Sequence, residues 1–253
     1  MEALAIAATV TAGLAMGAIN NLAGGAGVFG LVAFEHACGL PLAVANPSLR
    51  PAGLCVGVFS FLGYLRAGQR VPLSTWLLGL WAVPGAPIGS WLALRLPDVI
   101  FWLYLAAVLA LLLRQQTRRQ GTGVPPRTLP GWVAPLGCFC IGIHMGYAQV
   151  GVGLLSTLVL SASAGRDLLG VTAAKSTLVV VTAVASIATF WSANALAVEP
   201  ALWLALGTSV GAYQASRWAV ARGSGAVRLV VIVVTTVTLG YALVKVGQLL
   251  ASG

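Results

Sequence analysis

Leu168-Leu-Gly-Val-Thr-Ala-Ala-Lys175-Ser-Thr-Leu-Val-Val-Val-Thr-Ala-Val-Ala-Ser-Ile-Ala-Thr-Phe190 carries a single charge in an otherwise neutral run. A helix rises about 1.5 Å per residue, so this stretch can cross a hydrocarbon layer of about 30 Å. Similar runs lie on either side of it. They span roughly Ala3–Leu22, Leu54–Leu65 (starting near Ser48), Val71–Leu94, Val99–Leu113, Trp132–Tyr147, Pro200–Val220 and Val227–Leu250. Two shorter apolar segments, about Gly27–Cys38 and Gly153–Ser163, each sit between a Gly cluster and a polar turn.

The composition agrees with these runs. Of 253 residues, 59% are hydrophobic and 8% are charged. A soluble surface needs about 25% charged residues, so lipid must solvate much of this one. The 31 Gly and 12 Pro suit membrane helices, in which small residues let backbones approach. The net charge of +9 is spread between apolar spans and forms no single patch, which argues against nucleic acid as a partner. Cys38, Cys55, Cys138 and Cys140 lie in or near apolar stretches without a zinc spacing and read as packing residues. Met1–Ile19 lacks a basic n-region, so no cleavable signal peptide is expected. No cofactor, metal motif or catalytic constellation is legible, and an enzyme is not expected.

The basic residues set an orientation. Alternating sides from span to span puts Arg66, Arg70, Arg114, Arg118, Arg119, Arg127, Arg166, Arg217, Arg222 and Arg228 on one face. The positive-inside rule makes that face cytoplasmic. The hydrophilic stretch Arg114–Pro130 is then a cytoplasmic linker, and both termini are outside. It divides the chain into a first transmembrane repeat, 1–113, and a second, 131–253.

The halves share a pattern. Gly85-Ala-Pro-Ile-Gly89 is followed six residues later by Arg95, and Gly207-Thr-Ser-Val-Gly211 by Arg217 at the same distance. Gly25-x-Gly27 corresponds to Gly151-x-Gly153. Arg95 and Arg217 fall on opposite faces, which predicts inverted-topology repeats. The expected fold is therefore all-α: a polytopic integral membrane protein with two inverted-topology repeats and short Gly-broken helices at the repeat interface. Carriers of this kind bind substrate near the midplane, where helices are interrupted.

The interrupted segments supply the candidate site. Asn20, Asn21, Gly24, Gly25 and Gly27 come from the first half, and Tyr147, Gln149, Gly151 and Gly153 from the second. A helix restarting after a Gly break aims free N–H groups at the gap, which favours an anion. Close packing through Gly is the alternative. Lys175 sits seven residues into its span, where an ammonium must be paired, hydrated or turned to a cavity, or else snorkel to the interface. Ser176 adds a hydroxyl beside it. Glu35 reads either as a cation's partner, a proton carrier or an interfacial residue. His144 can titrate, or it can bond a backbone carbonyl. Arg50 follows the Asn46-Pro-Ser48 turn and either lines an outer vestibule or marks the interface.

At these residues the chain resembles the TauE/SafE family, the sulfite exporters. The resemblance covers nearly the whole chain. It rests on the early Gly cluster of each half, on Ala173-Ala174-Lys175-Ser176 running to Ala188-Thr-Phe190, and on the late Gly-x-x-x-Gly…Arg segments. Lys175 matches the family's second-half Lys. The chain departs from the pattern in its broken triplets, Gly24-Gly25-Ala-Gly27 and Gly151-Val-Gly153, and in the missing Pro after them. Asn46-Pro-Ser48 stands where the first half of the family often has Thr-x-Lys. The resemblance implies a permease in a bacterial inner membrane that exports sulfite, sulfonate or a related sulfur anion, driven by an ion gradient. Asn46 and Ser48 join the expected substrate-binding set through it. The expected partners are that anion, the lipid bilayer and a coupling proton or ion, and a homo-oligomer is open to such a carrier. An uncoupled anion channel and a membrane-embedded assembly or enzyme subunit are the rival classes.

Overall fold

The structure is a computed structural model that describes residues 1–23, 26–118, 131–150, 156, 159–160, 168–222 and 224–252. Gly24, Gly25, Gly151, Gly153 and most of the central linker lie outside the described residues, as does most of the second short apolar segment. The described elements are all helical. In chain order they are α1 (Ala3–Ala23), α2 (Gly27–His36), α3 (Leu42–Ser48), α4 (Arg50–Arg66), α5 (Leu73–Gly79), a 3-10 turn (Leu80–Ala82) and α6 (Gly85–Arg95). They continue as α7 (Asp98–Arg118), α8 (Val133–Tyr147), α9 (Leu168–Ser192), α10 (Val198–Arg222) and α11 (Ser224–Ser252).

Among the described residues, five helical stretches are long and apolar enough to cross a bilayer: Ala3–Asn20, Leu42–Arg66, Leu73–Arg95, Ala173–Ser192 and Ile232–Ala251. Two of them are broken where the sequence is broken. Leu42–Arg66 divides at Leu49, because Pro47 and Pro51 each remove an N–H from the ladder. The run read as one span at Val71–Leu94 starts after Pro72 and tightens to a 3-10 turn. It resumes at Gly85 after Pro84. The span read at Leu54–Leu65 is longer than expected, reaching back to Leu42 through that proline break. Gly68, at φ 86°, ends α4 as a Schellman turn, with Gln69 N–H on the Tyr64 carbonyl and Gly68 N–H on that of Leu65.

The surface is inverted relative to a soluble protein. Leu4 is 80% exposed, Leu73 73% and Leu250 68%. Trp132 and Trp191, near helix ends, are also exposed, as in an interfacial aromatic belt. Water would charge about 25 cal/mol for each Å² of this apolar surface, whereas acyl chains solvate it freely. The four cysteines are free thiols.

Because lipid is as apolar as leucine, helix contact rests on close approach. α1 packs along α10, α6 along α8, α4 against both α9 and α10, and α7 along α11. Two of these seams are glycine on glycine. A Cβ at Gly13 or Gly17 of α1 would strike the backbone of Leu204 or Thr208, and one at Gly207 or Gly211 would strike that of Val10 or Leu14. Likewise Gly85 and Gly89 of α6 lie against Phe139 and Ile143, and Gly142 and Gly146 of α8 against Ala82 and Ala86. So the first helix of each half lies on the late helix of the other.

The ends of the helices meet in a consistent order. The Met1 ammonium is 3.1 Å from Glu199 Oε1, at the start of α10. Further along the same helix, in its second half, Arg66 Nη1 donates to Tyr213 Oη at 2.8 Å.

Candidate functional site

Lys175 lies on the buried side of α9, 7% exposed. It shares a cavity of about 10 Å³ with Asn20 of α1, Val56, Gly57 and Ser60 of α4, and Ser176 and Val179 of α9. That volume has room for about one water. Gly57 makes the approach possible, since a Cβ there would stand 3.1 Å from the Ser176 carbonyl and 2.8 Å from Val180 Cγ2. Among the described residues, Asn20 Oδ1 and Ser60 Oγ are buried without a hydrogen-bond partner. Leaving such a group unsatisfied costs about 1–3 kcal/mol, so the pair marks the cavity as polar and underused. Ser176 Oγ meanwhile donates to the Ala173 carbonyl at 2.5 Å and Thr177 Oγ1 to that of Ala174 at 2.8 Å.

The second cluster is built around Arg50. The sequence left it between a vestibule and the interface, but the guanidinium is 1% exposed. The break at Pro47 turns the first residue of α4 inward, where the end of α8 receives it. Arg50 Nη1 donates to Gln149 Oε1 at 3.1 Å. Nη2 donates to the Gly146 carbonyl at 2.9 Å, to that of Tyr147 at 3.3 Å and to Asn46 Oδ1 at 3.3 Å. The guanidinium carbon stands 5.3 Å from the centroid of Phe190. Among the described residues, no carboxylate takes part. Burying a cation costs several kcal/mol, and charge-assisted hydrogen bonds of about 1.5–3 kcal/mol each offset it. The carbonyls of Gly146 and Tyr147 are the negative end of the α8 dipole, which adds to the offset. Among the described residues, Arg50 Nε and Gln149 Nε2 remain buried without partners.

The expected residues divide between the two clusters. Asn20, Lys175 and Ser176 come together at the first. Asn46, Tyr147 and Gln149 come together at the second, with Asn46 Nδ2 donating to the Tyr147 carbonyl at 3.0 Å. Gly27 joins the halves, because a Cβ on it would be 2.7 Å from Val150 Cγ2 and 3.8 Å from the Gln149 carbonyl. Ser48 stands apart: its Oγ donates to the Val44 carbonyl at 2.7 Å and accepts from Ala197 N–H at 2.8 Å. Asn21 belongs to α1, while Gly24, Gly25, Gly151 and Gly153 are outside the described residues. His144 Nδ1 is 2.6 Å from Tyr104 Oη, a side-chain partner on α7. Glu35 pairs with Lys245 at 2.6 Å.

Sequence reasoning missed Ser60 and Val56, although Gly53, Gly57 and Ser60 lie on one stripe of α4 at helical spacing. It also missed a longer correspondence. Gly13-Leu-Ala-Met16-Gly17 precedes Asn20 by the spacing at which Gly142-Ile-His-Met145-Gly146 precedes Gln149. Met16 and Met145 are both buried.

A larger groove of about 560 Å³ runs between α4 and α10, but it opens on the apolar surface beside Leu62, Leu206 and Val210, away from both clusters. Among the described residues, no group of three or more His, Cys, Asp or Glu side chains could hold a metal.

A bundle of lipid-facing helices enclosing a buried lysine and a buried arginine belongs to the class of polytopic membrane transporters. Residues 9–242 match the family model described as sulfite exporter TauE/SafE, and the chain belongs to that family. No curated protein and no solved structure matches it.

Proposed function

We propose that the chain exports sulfite, a sulfonate or a related small sulfur-containing anion across a bacterial cytoplasmic membrane by alternating access. The observation that carries this reading is the burial of Lys175 on one small cavity with Asn20 and Ser60, whose oxygens lack partners. An ammonium and a hydroxyl are what a hydrated oxyanion needs when it gives up water. Asn20 contributes its two N–H donors when its amide turns over. A cavity of about 10 Å³ is too small for an ion of four heavy atoms, so this conformation is a closed one.

The two halves, 1–113 and 131–253, are inverted repeats in this reading, joined by a cytoplasmic linker at 114–130. The reciprocal glycine seams support it. α1 lies on α10 as α8 lies on α6, the exchange that a twofold relation between two like halves produces. Rocking one repeat on the other along such smooth seams opens the cavity to each side in turn.

The test is flux in proteoliposomes against a panel of sulfur anions. Saturable flux with counterflow is expected for sulfite or a sulfonate. Flux that neither saturates nor shows counterflow would make the protein a channel, and no flux of any sulfur anion would sink the substrate assignment.

A further inference from the structure

We infer that the Arg50 cluster is a second anion station on the route through the protein, the first half's counterpart of Lys175. The inference rests on the carrier reading of the Lys175 cavity. Three independent features lead to it.

The first is position. The broken span Leu42–Arg66 and the helix Leu168–Ser192 are each 25 residues long. Arg50 lies eight residues after Leu42, and Lys175 seven after Leu168. Ser60, beside Lys175, is ten residues beyond Arg50 on α4, which is about 15 Å along the axis. The two buried cations therefore sit at different depths of one helix pair.

The second is exchange between halves. Lys175 of the second half shares its cavity with Asn20 of the first. Arg50 of the first half bonds Gln149 of the second. Asn20 and Gln149 each follow a Gly-x-x-Met-Gly stretch by three residues. Each amide keeps one buried atom without a partner, Asn20 Oδ1 and Gln149 Nε2.

The third is chemistry. Among the described residues, the groups left over at the Arg50–Gln149 contact are Arg50 Nε and Gln149 Nε2. Both nitrogens are donors only. Among the described residues Arg50 has only neutral acceptors, two of them at 3.3 Å. A buried cluster with surplus donors, a full positive charge and no carboxylate among the described residues is completed by a small anion. The same sulfur oxyanion that Lys175 holds meets these terms, so it passes from one cation to the other as the repeats rock.

Gln149→Glu tests the proposal. The new carboxylate keeps the acceptor oxygen for Arg50 and gives the cluster its own counter-ion. Full-length wild type, Gln149→Glu and Lys175→Met are compared in proteoliposomes with sulfite as the probe, together with melting in the absence of anion. Gln149→Glu is expected to melt no lower than wild type while its sulfite flux falls about tenfold or more. Wild-type flux in Gln149→Glu, with flux lost in Lys175→Met, overturns the second station and leaves the carrier site standing. Wild-type flux in both variants overturns the two together. Should Gln149→Glu accumulate poorly, Gln149→Met is read instead. An unchanged KM for sulfite then overturns the proposal, and a KM raised about fivefold or more supports it.

Discussion

Glu35 Oε2 lies 2.6 Å from Lys245 Nζ and ties α2 to α11. Tyr241 Oη donates to the same carboxylate oxygen at 3.1 Å, and the ammonium stands over the rings of Trp102 and Tyr241. The side chains are 12% and 21% exposed, so the pair is neither at the surface nor sealed off. Glu35→Gln keeps an acceptor for Tyr241 and strands the cation. It should cost about 1–2 kcal/mol, between the values for exposed and fully buried pairs. Lys245→Met should cost a similar amount, and the double variant less than the sum. A double-mutant cycle by thermal unfolding in detergent measures this. Strict additivity would show that the contact is energetically silent.

The glycine seams predict a position-specific effect. Gly17→Val and Gly146→Val place a side chain against the backbone of the facing helix. Neither α10 nor α6 can yield without losing the whole seam, so the folded yield in membranes should fall severely. Gly240→Val is the control, since nothing lies within 4 Å of a Cβ there. It should accumulate like wild type. Fluorescence size-exclusion of tagged protein reads all three, and equal yields would deny the seams any special role.

How far the sequence reached follows from range. Lys175 and Asn20 were legible because a charge or an amide inside an apolar run is anomalous on its own. The Gly85/Gly89 and Gly207/Gly211 pair was legible because it repeats. Their partners at Gly13/Gly17 and Gly142/Gly146 were not, because Gly-x-x-x-Gly is common in membrane helices and nothing local says what it faces. Arg50 was visible but ambiguous. Its burial depends on the break at Pro47 and on the end of α8, almost a hundred residues away. Lys245 could not be matched to Glu35 for the same reason, at a separation of 210 residues along the chain. Ser60 looks like any small packing residue until α9 is set against α4.

The orientation has its own test. Met1 and Glu199 meet at the start of α10, and Arg66 and Tyr213 in its second half. If the basic end is cytoplasmic, a cysteine placed at Thr122 in a cysteine-free background stays unlabelled by an impermeant maleimide on intact cells. A cysteine at Glu2 is labelled under the same conditions. Reversal of the two would turn the whole protein over and reverse the sidedness of the Lys175 cavity.

Lys175 itself gives the sharpest expectation. Lys175→Met keeps the length of the apolar stem and deletes the charge, and its melting without anion is the baseline for the comparison. Binding is a different matter. Sulfite at a hundred times its Kd should stabilise wild type by about 2.7 kcal/mol, which is a readable shift in Tm. The variant should show none of it, because the remaining amide and hydroxyls do not replace the charge. Lys175→Arg should keep part of the shift, since it keeps the charge but needs more room than a cavity of about 10 Å³ leaves beside Val56 and Val179. The measurement is Tm against sulfite concentration for the three proteins. An equal sulfite-dependent shift in wild type and Lys175→Met would remove Lys175 from the site and leave its burial as a packing solution.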